Sequence, residues 1–416
     1  MKIAIVGSGV SSNVAAYHLN KNHDITVFEA NNYVGGHVNT IDFDLDGDLF
    51  SIDTGFIVFN DKTYPNFITL LEELNIQDQL SDMSFSVSCR KSGLEYSGTN
   101  LNTIFSQRRN LLNYSHHLML LNILKFNTHS IKFINQVDSE ILLGDYLSRM
   151  KYSKYFIEKY LLPMSSAIWS SDPKNILIMP LKFLVNFFEN HGLLSLANRP
   201  TWKVIKGGSK NYVEKLVLGF SDKIKLNSKV ESILRFPDRV EIFTRDRGRQ
   251  SFDYVFLGCH SDQALKILAD PSRDEESTLS AIKYQSNEAI LHTDEDLLPN
   301  NRRAWASWNY NIPEKKQEST SLTYNMNLLQ KIDSKYTFCV TLNNSSKIRS
   351  SKIIKRVEYS HPIFTNDAVN AQKNHYLINK NRTFFCGAYW YNGFHEDGVV
   401  SALEAVKYFE ASVINE

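Results

Sequence analysis

The most informative segment for the fold lies near the start of the chain and reads Lys2-Ile3-Ala4-Ile5-Val6-Gly7-Ser8-Gly9-Val10-Ser11-Ser12. Its apolar residues 3–6 predict a short central strand of a parallel sheet. Gly7 permits a tight turn after this strand, and Gly9 lets a pyrophosphate approach the backbone where the next helix begins. Ser12 replaces the third glycine of this fingerprint, and its small side chain still allows the helix to pack closely on the strand. The stretch therefore predicts a nucleotide-binding strand, loop and helix.

The next predicted strand, residues 24–29, ends in an acid that strengthens this prediction. Glu29 follows Gly9 by 20 residues (29 − 9), which is the spacing of the carboxylate that binds a ribose hydroxyl in dinucleotide sites. A glycine turn in some other α/β protein is the alternative, and the combination of strand, loop, helix and acid counts against it. Sites for NAD and for FAD share this fingerprint, so the cofactor stays open at this point.

Composition and charge narrow the class of protein. The chain has 416 residues, of which 43% are hydrophobic and 22% are charged, so it can build full cores over two or three domains. The formal net charge of +1 gives no indication of a nucleic-acid partner. The four cysteines lack the spacing of metal ligands, which predicts free thiols in a reducing cytoplasm and no metal site. Neither a signal peptide nor a membrane-spanning segment is expected.

Three kinds of sequence pattern divide the chain. Its first, central and last segments alternate strand and helix patterns, as a nucleotide-binding domain does. Between them lie one mainly helical segment and one that is rich in strand patterns. The predicted nucleotide-binding domain is discontinuous and comprises residues 1–80, 200–275 and 376–416, and the predicted substrate-binding domain comprises residues 81–199, mainly helical, and 276–375, rich in strands.

Six segments distributed along the chain resemble the flavin-containing amine oxidoreductase superfamily, in particular a bacterial branch of predicted NAD/FAD-binding proteins. They are Gly35-Gly36-His37, Asp53-Thr54-Gly55-Phe56-Ile57-Val58-Phe59-Asn60, Ala167-Ile168-Trp169-Ser170, Asn190-His191-Gly192-Leu193-Leu194, Trp305-Ala306-Ser307-Trp308-Asn309-Tyr310 and Gly393-Phe394-His395-Glu396-Asp397-Gly398. The resemblance implies an α/β fold with a Rossmann-like FAD-binding domain of the GR2 type. It also implies an inserted α+β substrate domain, similar to monoamine oxidases and phytoene desaturases, and FAD bound without a covalent link.

The resemblance carries the superfamily's cofactor-binding positions onto this chain. The implied FAD-binding residues are Gly7, Gly9, Ser11, Ser12, Glu29, Ala30, Gly36, His37, Gly55, Phe56, Val230, Gly387, Ala388, Asp397, Gly398 and Val399. Glu29 would hold the adenosine ribose, and the backbone of Val230 would meet the adenine. Asp397 would lie at the start of the final helix, whose N-terminus stabilises negative charge on the flavin. Two positions depart from the superfamily, since His37 replaces an arginine and Ala388 replaces an aspartate.

Aromatic residues in these segments are candidates for a pocket around the substrate. The predicted substrate-pocket residues are Trp169, Trp305, Trp308 and Tyr310. An aromatic surround suits a cationic amine, and it equally suits a flat apolar molecule or a lipid chain. Ordinary core packing is the alternative for each of them. Gly55 is expected beside the flavin ring, where a small residue fits.

Three residues near the flavin end are predicted to be catalytic, namely His395, Trp390 and Tyr391. His395 would carry a proton, and a helix-entry residue that satisfies backbone groups is the alternative. His191 is predicted to lie at a helix C-terminus, with Gly192 in the left-handed conformation after it. No lysine can be assigned to the position near the flavin N5 where amine oxidases of the superfamily often have one, which weakens the interpretation as an amine oxidase.

The segment of residues 107–126 is a candidate for contact with lipids. Arg108 and Arg109 precede a run of apolar residues, and Lys125 follows it. The apolar residues are Leu111, Leu112, Leu118, Leu120, Leu121, Ile123 and Leu124. This pattern is typical of an amphipathic basic helix that rests on a membrane face, and a core helix of the substrate domain is the alternative. Relatives in the branch that the chain resembles are often encoded near fatty-acyl methyltransferases, which favours a lipid substrate.

Three functions remain open at the level of sequence. The leading one is an FAD-dependent oxidase or desaturase that takes a hydride from a C–H bond of a small apolar or lipid substrate, such as a fatty acyl or isoprenoid chain. The alternatives are amine oxidation and a redox-neutral flavin-dependent isomerase or mutase. The electron acceptor is undetermined. The expected location is the cytoplasm, with peripheral contact to the inner face of the membrane.

Overall fold

The structure is a computed structural model, and it describes residues 1–136, 140–195, 199–312 and 321–415. The strands are β1 Lys2–Val6, β2 Asp24–Phe28, β3 Thr40–Leu45, β4 Asp48–Asp53, β5 Val58–Asn60, β6 Asp78–Leu80, β7 Phe85–Cys89, β8 Leu94–Ser97, β9 Trp202–Ile205, β10 Ile224–Lys225, β11 Val230–Arg235, β12 Val240–Thr244, β13 Gly248–Phe252, β14 Tyr254–Leu257, β15 Lys283–His292, β16 Trp308–Ile312, β17 Leu322–Asn325, β18 Cys339–Leu342, β19 Ile353–Ile363 and β20 Thr383–Phe385. The helices are α1 Val10–Leu19, α2 Pro65–Glu73, α3 Leu101–Ile104, α4 Tyr114–Gln136, α5 Leu143–Arg149, α6 Lys154–Phe156, α7 Leu162–Trp169, α8 Pro173–Leu177, α9 Leu181–Asn190, α10 Lys210–Val217, α11 Ser261–Ile267, α12 Arg273–Ala281, α13 Met326–Leu329, α14 Asn366–Gln372, α15 His375–Ile378 and α16 His395–Asn415.

A five-stranded parallel sheet in the order β10-β2-β1-β14-β20 forms the part expected to bind a nucleotide. β1 is its central strand, and residues 3–6 of that strand are buried, as their apolar run predicts. The carboxyl ends of all five strands lie at one edge, where ligands bind in open α/β sheets. The loops after β1, β2 and β14 therefore meet at this edge. The exact bounds of the two domains stay a prediction.

Helices α1 and α16 pack against each other beside this sheet. Gly398 permits the close approach, because a Cβ atom there would lie 2.5 Å from Cγ1 of Val10. On the sheet side, the Ser12 hydroxyl occupies the space next to Gly258, directly after β14. Ser12 is thus a packing residue between helix and sheet, which is the role predicted for the third position of the fingerprint. α16 begins at His395, two residues earlier than the sequence predicts.

A seven-stranded sheet in the order β19-β15-β18-β17-β16-β7-β8 forms the second large layer. Its neighbours are antiparallel apart from β16 and β7, which are parallel. Helices α4 to α9 build a layer with its own core, which includes Phe126, Tyr146 and Leu184. Three small sheets, β3-β4, β5-β9-β6 and β11-β12-β13, complete the fold. None of the described helices combines the length and hydropathy of a membrane span.

Candidate active site

A cavity of about 1370 Å³ begins at the carboxyl edge of the parallel sheet and continues between the seven-stranded sheet and the helical layer. Pockets for one small ligand usually measure about 300–1,000 Å³, so this cavity has room for a large cofactor and a second molecule. The predicted site residues in its lining are Gly7, Gly9, Ser11, Glu29, Ala30, Gly36, His37, Gly55, Phe56, Trp169, Val230, Trp308, Gly387, Ala388 and His395. The predicted site residues outside this lining are Ser12, Trp305, Tyr310, Trp390, Tyr391, Asp397, Gly398 and Val399.

Two glycine segments form a cradle at the N-terminus of α1. Gly7 has a φ of +95°, and its N–H donates to the Phe28 carbonyl over 2.8 Å, which turns the chain at the end of β1. Gly36, with a φ of +59°, comes so close that a Cβ atom there would lie 3.1 Å from Cα of Gly9. A Cβ atom on Gly9 itself would meet no atom within 4 Å, so this residue faces open space in the cavity. The bare backbone and the positive end of the helix dipole suit a diphosphate.

Glu29 lies at the end of β2 beside this cradle, and its side chain is 5% exposed. One carboxylate oxygen accepts a hydrogen bond of 2.6 Å from the Ser8 hydroxyl. The other accepts from the backbone N–H and the side-chain amide of Asn31, at 2.8 and 2.9 Å. These three bonds leave the carboxylate able to accept a further hydrogen bond from a ribose hydroxyl. The position fits the predicted role of Glu29 as an acceptor for ribose.

Three imidazoles from distant parts of the sequence meet near the cradle. His37 follows Gly36, and its ring centroid lies 5.9 Å from that of His260 and 5.3 Å from that of His361. Tyr359 stacks on His37 at 4.9 Å, and Tyr284 stacks on His260 at 4.6 Å. All three histidines line the cavity. The arginine of the superfamily is thus replaced by a cluster, of which sequence reasoning found His37 alone.

The three histidines are held neutral by burial. Desolvation, with a smaller effect of the neighbouring imidazoles, lowers the pKa of His37 and that of His260 to about 4. The same causes lower the pKa of His361 to about 3. The amide of Asn287 lies 2.8 Å from Nδ1 of His361 and fixes that ring. A dianionic diphosphate nearby would favour their protonated forms, since an opposite charge stabilises an imidazolium.

Gly55 and Gly387 lie in the lining but serve close backbone packing. A Cβ atom on Gly55 would overlap the carbonyl of His37, and one on Gly387 would overlap the ring of Tyr389. The N–H of Phe56 also donates to the His37 carbonyl, at 2.8 Å. Gly55, in the turn between β4 and β5, thus lets the chain approach the His37 loop, and its expected place beside a flavin ring stays a prediction.

His395 begins α16 and is the residue of the three predicted catalytic ones that lines the cavity. Its ring stacks on Phe56 with centroids 3.4 Å apart, and its Nε2 lies 2.8 Å from the Tyr212 hydroxyl. Burial, assisted by the nearby His37, lowers the pKa of His395 well below its usual value. The imidazole at this position is therefore neutral and a weak base, suited to a hydrogen bond more than to proton uptake.

The carboxylates of the two acids after His395 accept hydrogen bonds from backbone N–H groups. Glu396 accepts from the N–H groups of Asn66 and Phe67, at 3.0 and 2.8 Å, and so satisfies the start of α2. Asp397 accepts from the N–H of Phe394 at 2.8 Å, and burial raises the pKa of its carboxyl to about 7. Its neighbours Gly398 and Val399 are also packed inside, against α1 and in the sheet core. These residues shape the loop before α16 from behind the cavity wall.

Trp390 and Tyr391 line a separate cavity of about 150 Å³. The Trp390 ring stacks on His375 at 4.3 Å. The Tyr391 hydroxyl donates to Glu404 over 2.6 Å. The short turn that carries both residues directs them toward α15 and α16, so neither contacts a ligand held in the main cavity. We propose no catalytic role for them.

The far end of the main cavity has an aromatic and apolar wall. Trp169 is 5% exposed and donates from Nε1 to the Asn392 carbonyl over 3.2 Å. Trp308 on β16 meets Tyr324 on β17 edge to face at 4.9 Å. Further apolar residues of this wall, not predicted from the sequence, are Met83, Phe85, Tyr96, Met164, Ile168 and Phe187. This end suits an apolar molecule.

The two other predicted pocket residues serve packing, which was the alternative for each. Trp305 donates from Nε1 to the Pro299 carbonyl over 2.7 Å, and the guanidinium of Arg302 lies 5.1 Å from its ring centroid. Tyr310 is 5% exposed in the core, where it packs in one cluster with Ala167 of α7, and burial raises the pKa of its hydroxyl. Their assignment to the pocket wall is therefore wrong in this structure.

Charged side chains are few at the apolar end. The carboxylate of Asp82 has hydrogen-bond partners there. Burial raises its pKa, but hydrogen bonds from Ser84 and Ser307 outweigh this effect and keep the pKa below the usual value. Arg199 is exposed, and its Nε donates to the Ser195 carbonyl over 3.1 Å. The lysines of the described lining are Lys229 and Lys266, beside Val230 and on α11, at the opposite end. The structure thus brings no lysine of the described lining to the apolar end.

His191 combines two roles that the sequence separates. It ends α9, and Gly192 follows with a φ of +66°, as predicted for the left-handed position. Its Nδ1 lies 2.9 Å from the Phe187 carbonyl, and its Nε2 lies 3.2 Å from the Thr63 hydroxyl. Because the side chain also lines the cavity, His191 is a residue of the site, although the sequence predicted it only as a helix end.

Solved structures share this fold over the whole chain. A putative protoporphyrinogen oxidase from Exiguobacterium sp. 255-15 has a TM-score of 0.69 at 15% identity, with 99% of both chains covered. A CLA-producing fatty acid isomerase from P. acnes has a TM-score of 0.69 at 14% identity, with 98% of both chains covered. Cyclohexylamine oxidase from Brevibacterium oxydans IH-35A has a TM-score of 0.67 at 12% identity, with 99% of both chains covered. These likenesses confirm the predicted fold class.

The sequence itself matches a family over most of its length. Residues 14–336 match the profile of the flavin containing amine oxidoreductases. No curated protein matches the chain. The matched range includes Glu29, the histidine cluster apart from His361, and the wall residues Trp169 and Trp308. The chain therefore belongs to the family of flavin-containing amine oxidoreductases, and it is a flavin-dependent oxidoreductase.

Proposed function

We propose that the chain binds FAD without a covalent link and abstracts a hydride from a C–H bond of an apolar or lipid substrate, such as a fatty acyl or isoprenoid chain. One observation carries the proposal, namely that a single cavity joins the dinucleotide cradle to its apolar far end, which we call the chamber and which is walled by residues such as Trp169 and Trp308. The cradle has the glycines and the acid of a dinucleotide site, and the chamber has aromatic walls and few charges. A cofactor in the cradle would reach a substrate in the chamber.

The residues of the cradle fit FAD. Gly9 and the N-terminus of α1 would hold the diphosphate, Glu29 the ribose and the backbone of Val230 the adenine. When bound, FAD supplies the hydride-accepting chemistry. Burial raises the pKa of the Cys259 thiol in the lining to about 12, so this sulfur stays protonated and unreactive. Cys386 is fully buried outside the lining, which supports a non-covalent complex.

The residues of the chamber bind and orient the substrate. Trp169 and Trp308 offer flat faces that would exclude water from the reacting carbon. His395 lines the same cavity, where its neutral imidazole would orient the substrate; its lowered pKa makes it a weak base, so the proton that leaves during oxidation would pass to water. Its bond to Tyr212 holds the ring in place. These contacts favour removal of a hydride from an uncharged chain.

Amine oxidation is the second candidate. The rings of Trp169 and Trp308 also suit a cationic amine, because an ammonium is attracted to aromatic faces. The lack of a lysine among the described chamber residues counts against it. A redox-neutral isomerase is the third candidate, and it would use the same apolar chamber without consuming an electron acceptor.

Anaerobic stopped-flow spectroscopy of the FAD-loaded protein separates these functions. The flavin absorption band is followed after mixing with a bacterial lipid extract, with fatty acids or with a panel of amines. Bleaching by lipids alone supports the proposal, and bleaching by amines alone refutes it in favour of amine oxidation. Turnover of a lipid only after reduction with dithionite, without consumption of an acceptor, refutes it in favour of an isomerase.

A matched pair of variants links the reaction to the chamber. Trp308→Phe changes a ring of the cavity wall, whereas Trp305→Phe changes a tryptophan three residues away that packs elsewhere. The first substitution should raise the lipid concentration needed for half-maximal bleaching, and the second should leave it unchanged. Equal effects of both would show that the substrate binds outside the chamber.

A further inference from the structure

The segment before and within α4 carries positive charge without acids. No aspartate or glutamate occurs between Glu95 and Asp138. Arg108 and Arg109 are exposed in a short turn, where they donate to backbone carbonyls such as those of Phe105 and Gly93. Within the described residues neither arginine makes an ion pair with a carboxylate. Their charge is therefore available to an external anion.

The same segment exposes large apolar side chains. Leu112 is 94% exposed, Tyr114 78%, Leu101 73% and Leu121 62%. We call this surface the leucine face, and it consists of Leu101, Leu111, Leu112, Tyr114, Leu121 and Leu124. Outward sides of surface helices are normally polar. Scattered exposed leucines are common, but such a run on one short segment marks an interaction surface.

Half of the leucine face lies on the outer side of α4, whose inner side is already packed. Met119 and Phe126 are buried against the helical layer. Tyr114, Leu121 and Leu124 follow helical spacing on the opposite side. The sequence predicted either a core helix or a membrane-surface helix for this segment, and the buried inner side of α4 has the packing of a core helix. The outer side is left for a partner.

One end of the leucine face, at Leu101, lies close in the chain to an opening of the cavity. Gly98 and Thr99 are exposed and also line the cavity, so the cavity reaches the surface at this point. α3 begins two residues later with Leu101, and Asn100 caps it by accepting from the N–H of Thr103 over 3.0 Å. An apolar molecule leaving a partner bound to the leucine face would therefore find the apolar chamber next to it.

We propose that the leucine face docks on the surface of an anionic lipid bilayer, with the leucines in the headgroup region and Arg108 and Arg109 on anionic lipids. Membrane binding of this kind draws on buried apolar area and on basic residues together. A second copy of the chain is the other apolar partner, and a symmetric contact would bring the same unpaired arginines together. The charge favours the bilayer.

Sedimentation with large unilamellar vesicles tests the proposal independently of any reaction. Vesicles of phosphatidylglycerol mixed with phosphatidylcholine are compared with vesicles of phosphatidylcholine alone. We expect binding to the anionic vesicles. Arg108→Gln with Arg109→Gln should weaken it by about 30-fold, since each basic residue near an anionic surface contributes about fivefold. Leu112→Ser with Tyr114→Ser should weaken it by about tenfold.

The control is Leu49→Ser, which changes a leucine that is 84% exposed on β4, outside the leucine face. It should bind the vesicles as the wild type does. Because all these side chains are exposed, thermal unfolding should show the same midpoint for every variant. Vesicle binding that is absent, or equal in all variants, would overturn the proposal. A dimer in analytical ultracentrifugation that is lost in Leu112→Ser would assign the face to self-association and overturn it as well.

Discussion

Gly9→Ala should weaken FAD binding without weakening the fold. Gly9 has a φ of −70° and a ψ of 178°, a backbone conformation open to every residue. A Cβ atom there meets nothing within 4 Å in the chain, so alanine should change the free energy of unfolding by less than about 1 kcal/mol. The new methyl group would project into the space proposed for the diphosphate.

The expected loss of affinity follows from that overlap. Forcing an extra methyl group into a filled contact costs about 1–3 kcal/mol, which corresponds to an FAD dissociation constant about 5-fold to 150-fold larger. Fluorescence titration of the FAD-free protein with FAD measures it, and thermal unfolding of the same protein measures stability. Gly219→Ala is the matched control, because a Cβ atom at Gly219 also has open space, with its first neighbour 3.9 Å away, outside the cavity.

Two results would refute this reasoning. If Gly9→Ala binds FAD as tightly as Gly219→Ala does, the diphosphate does not lie over the Gly9 backbone. If Gly9→Ala unfolds at a clearly lower temperature than the wild type, the space beside Gly9 is filled in the protein, contrary to the structure. Either outcome would remove the cradle from the account.

Four further outcomes are expected. Burial keeps the pKa of His37 and of His260 near 4, below the 6.5 of an exposed imidazole, so the unfolding free energy should be unaffected by them above about pH 6.5 and should decrease as the pH falls toward 4. Urea titrations across this range measure that free energy, and a constant value would contradict the prediction. A bound diphosphate raises these pKa values, so FAD affinity should fall as the pH rises, and a dissociation constant that is independent of pH would exclude the cluster from the diphosphate site. Glu29→Gln should weaken FAD binding about 10-fold or more by removing a charged ribose acceptor, as calorimetric titration can check against the wild type. Glu396→Ala should lower the unfolding free energy by about 1–3 kcal/mol, since it leaves the N–H groups of Asn66 and Phe67 without their acceptor, and an unchanged melting temperature would show that water replaces it.

The nucleotide-binding end was predictable because its signals are local. The run of residues 3–6, the turn at Gly7 and the acid at Glu29 each depend on neighbours within one βαβ unit. Their spacing fixes strand, loop and helix before any distant contact forms. The structure accordingly brings Gly9 and Glu29 to one cradle in the cavity.

The histidine cluster was not predictable because its members come from three distant segments. His37 lies after β2, His260 after β14 and His361 near the end of β19. β14 belongs to the parallel sheet and β19 to the seven-stranded sheet. Their meeting depends on how these two sheets pack, which no spacing in the sequence records. A histidine directly after a parallel strand, as at His260, is the one signal that could have been used.

The aromatic candidates show why proximity in sequence is a weak guide to a pocket. Trp390 is three residues from Gly387, but the turn between them directs its ring onto His375. Trp308 and Tyr310 share one face of β16, yet α7 covers the strand at Tyr310 and leaves Trp308 at the cavity. Tertiary packing therefore decided which rings form the chamber.

A crystal structure of the chain with FAD would show whether one cavity holds both cofactor and substrate, because it places the cofactor relative to both ends of the cavity. We expect adenosine at Glu29 and Val230, the diphosphate over Gly9, and the flavin ring between Phe56 and the chamber of Trp169. FAD bound elsewhere on the surface, or with its flavin ring directed away from that chamber, would contradict it.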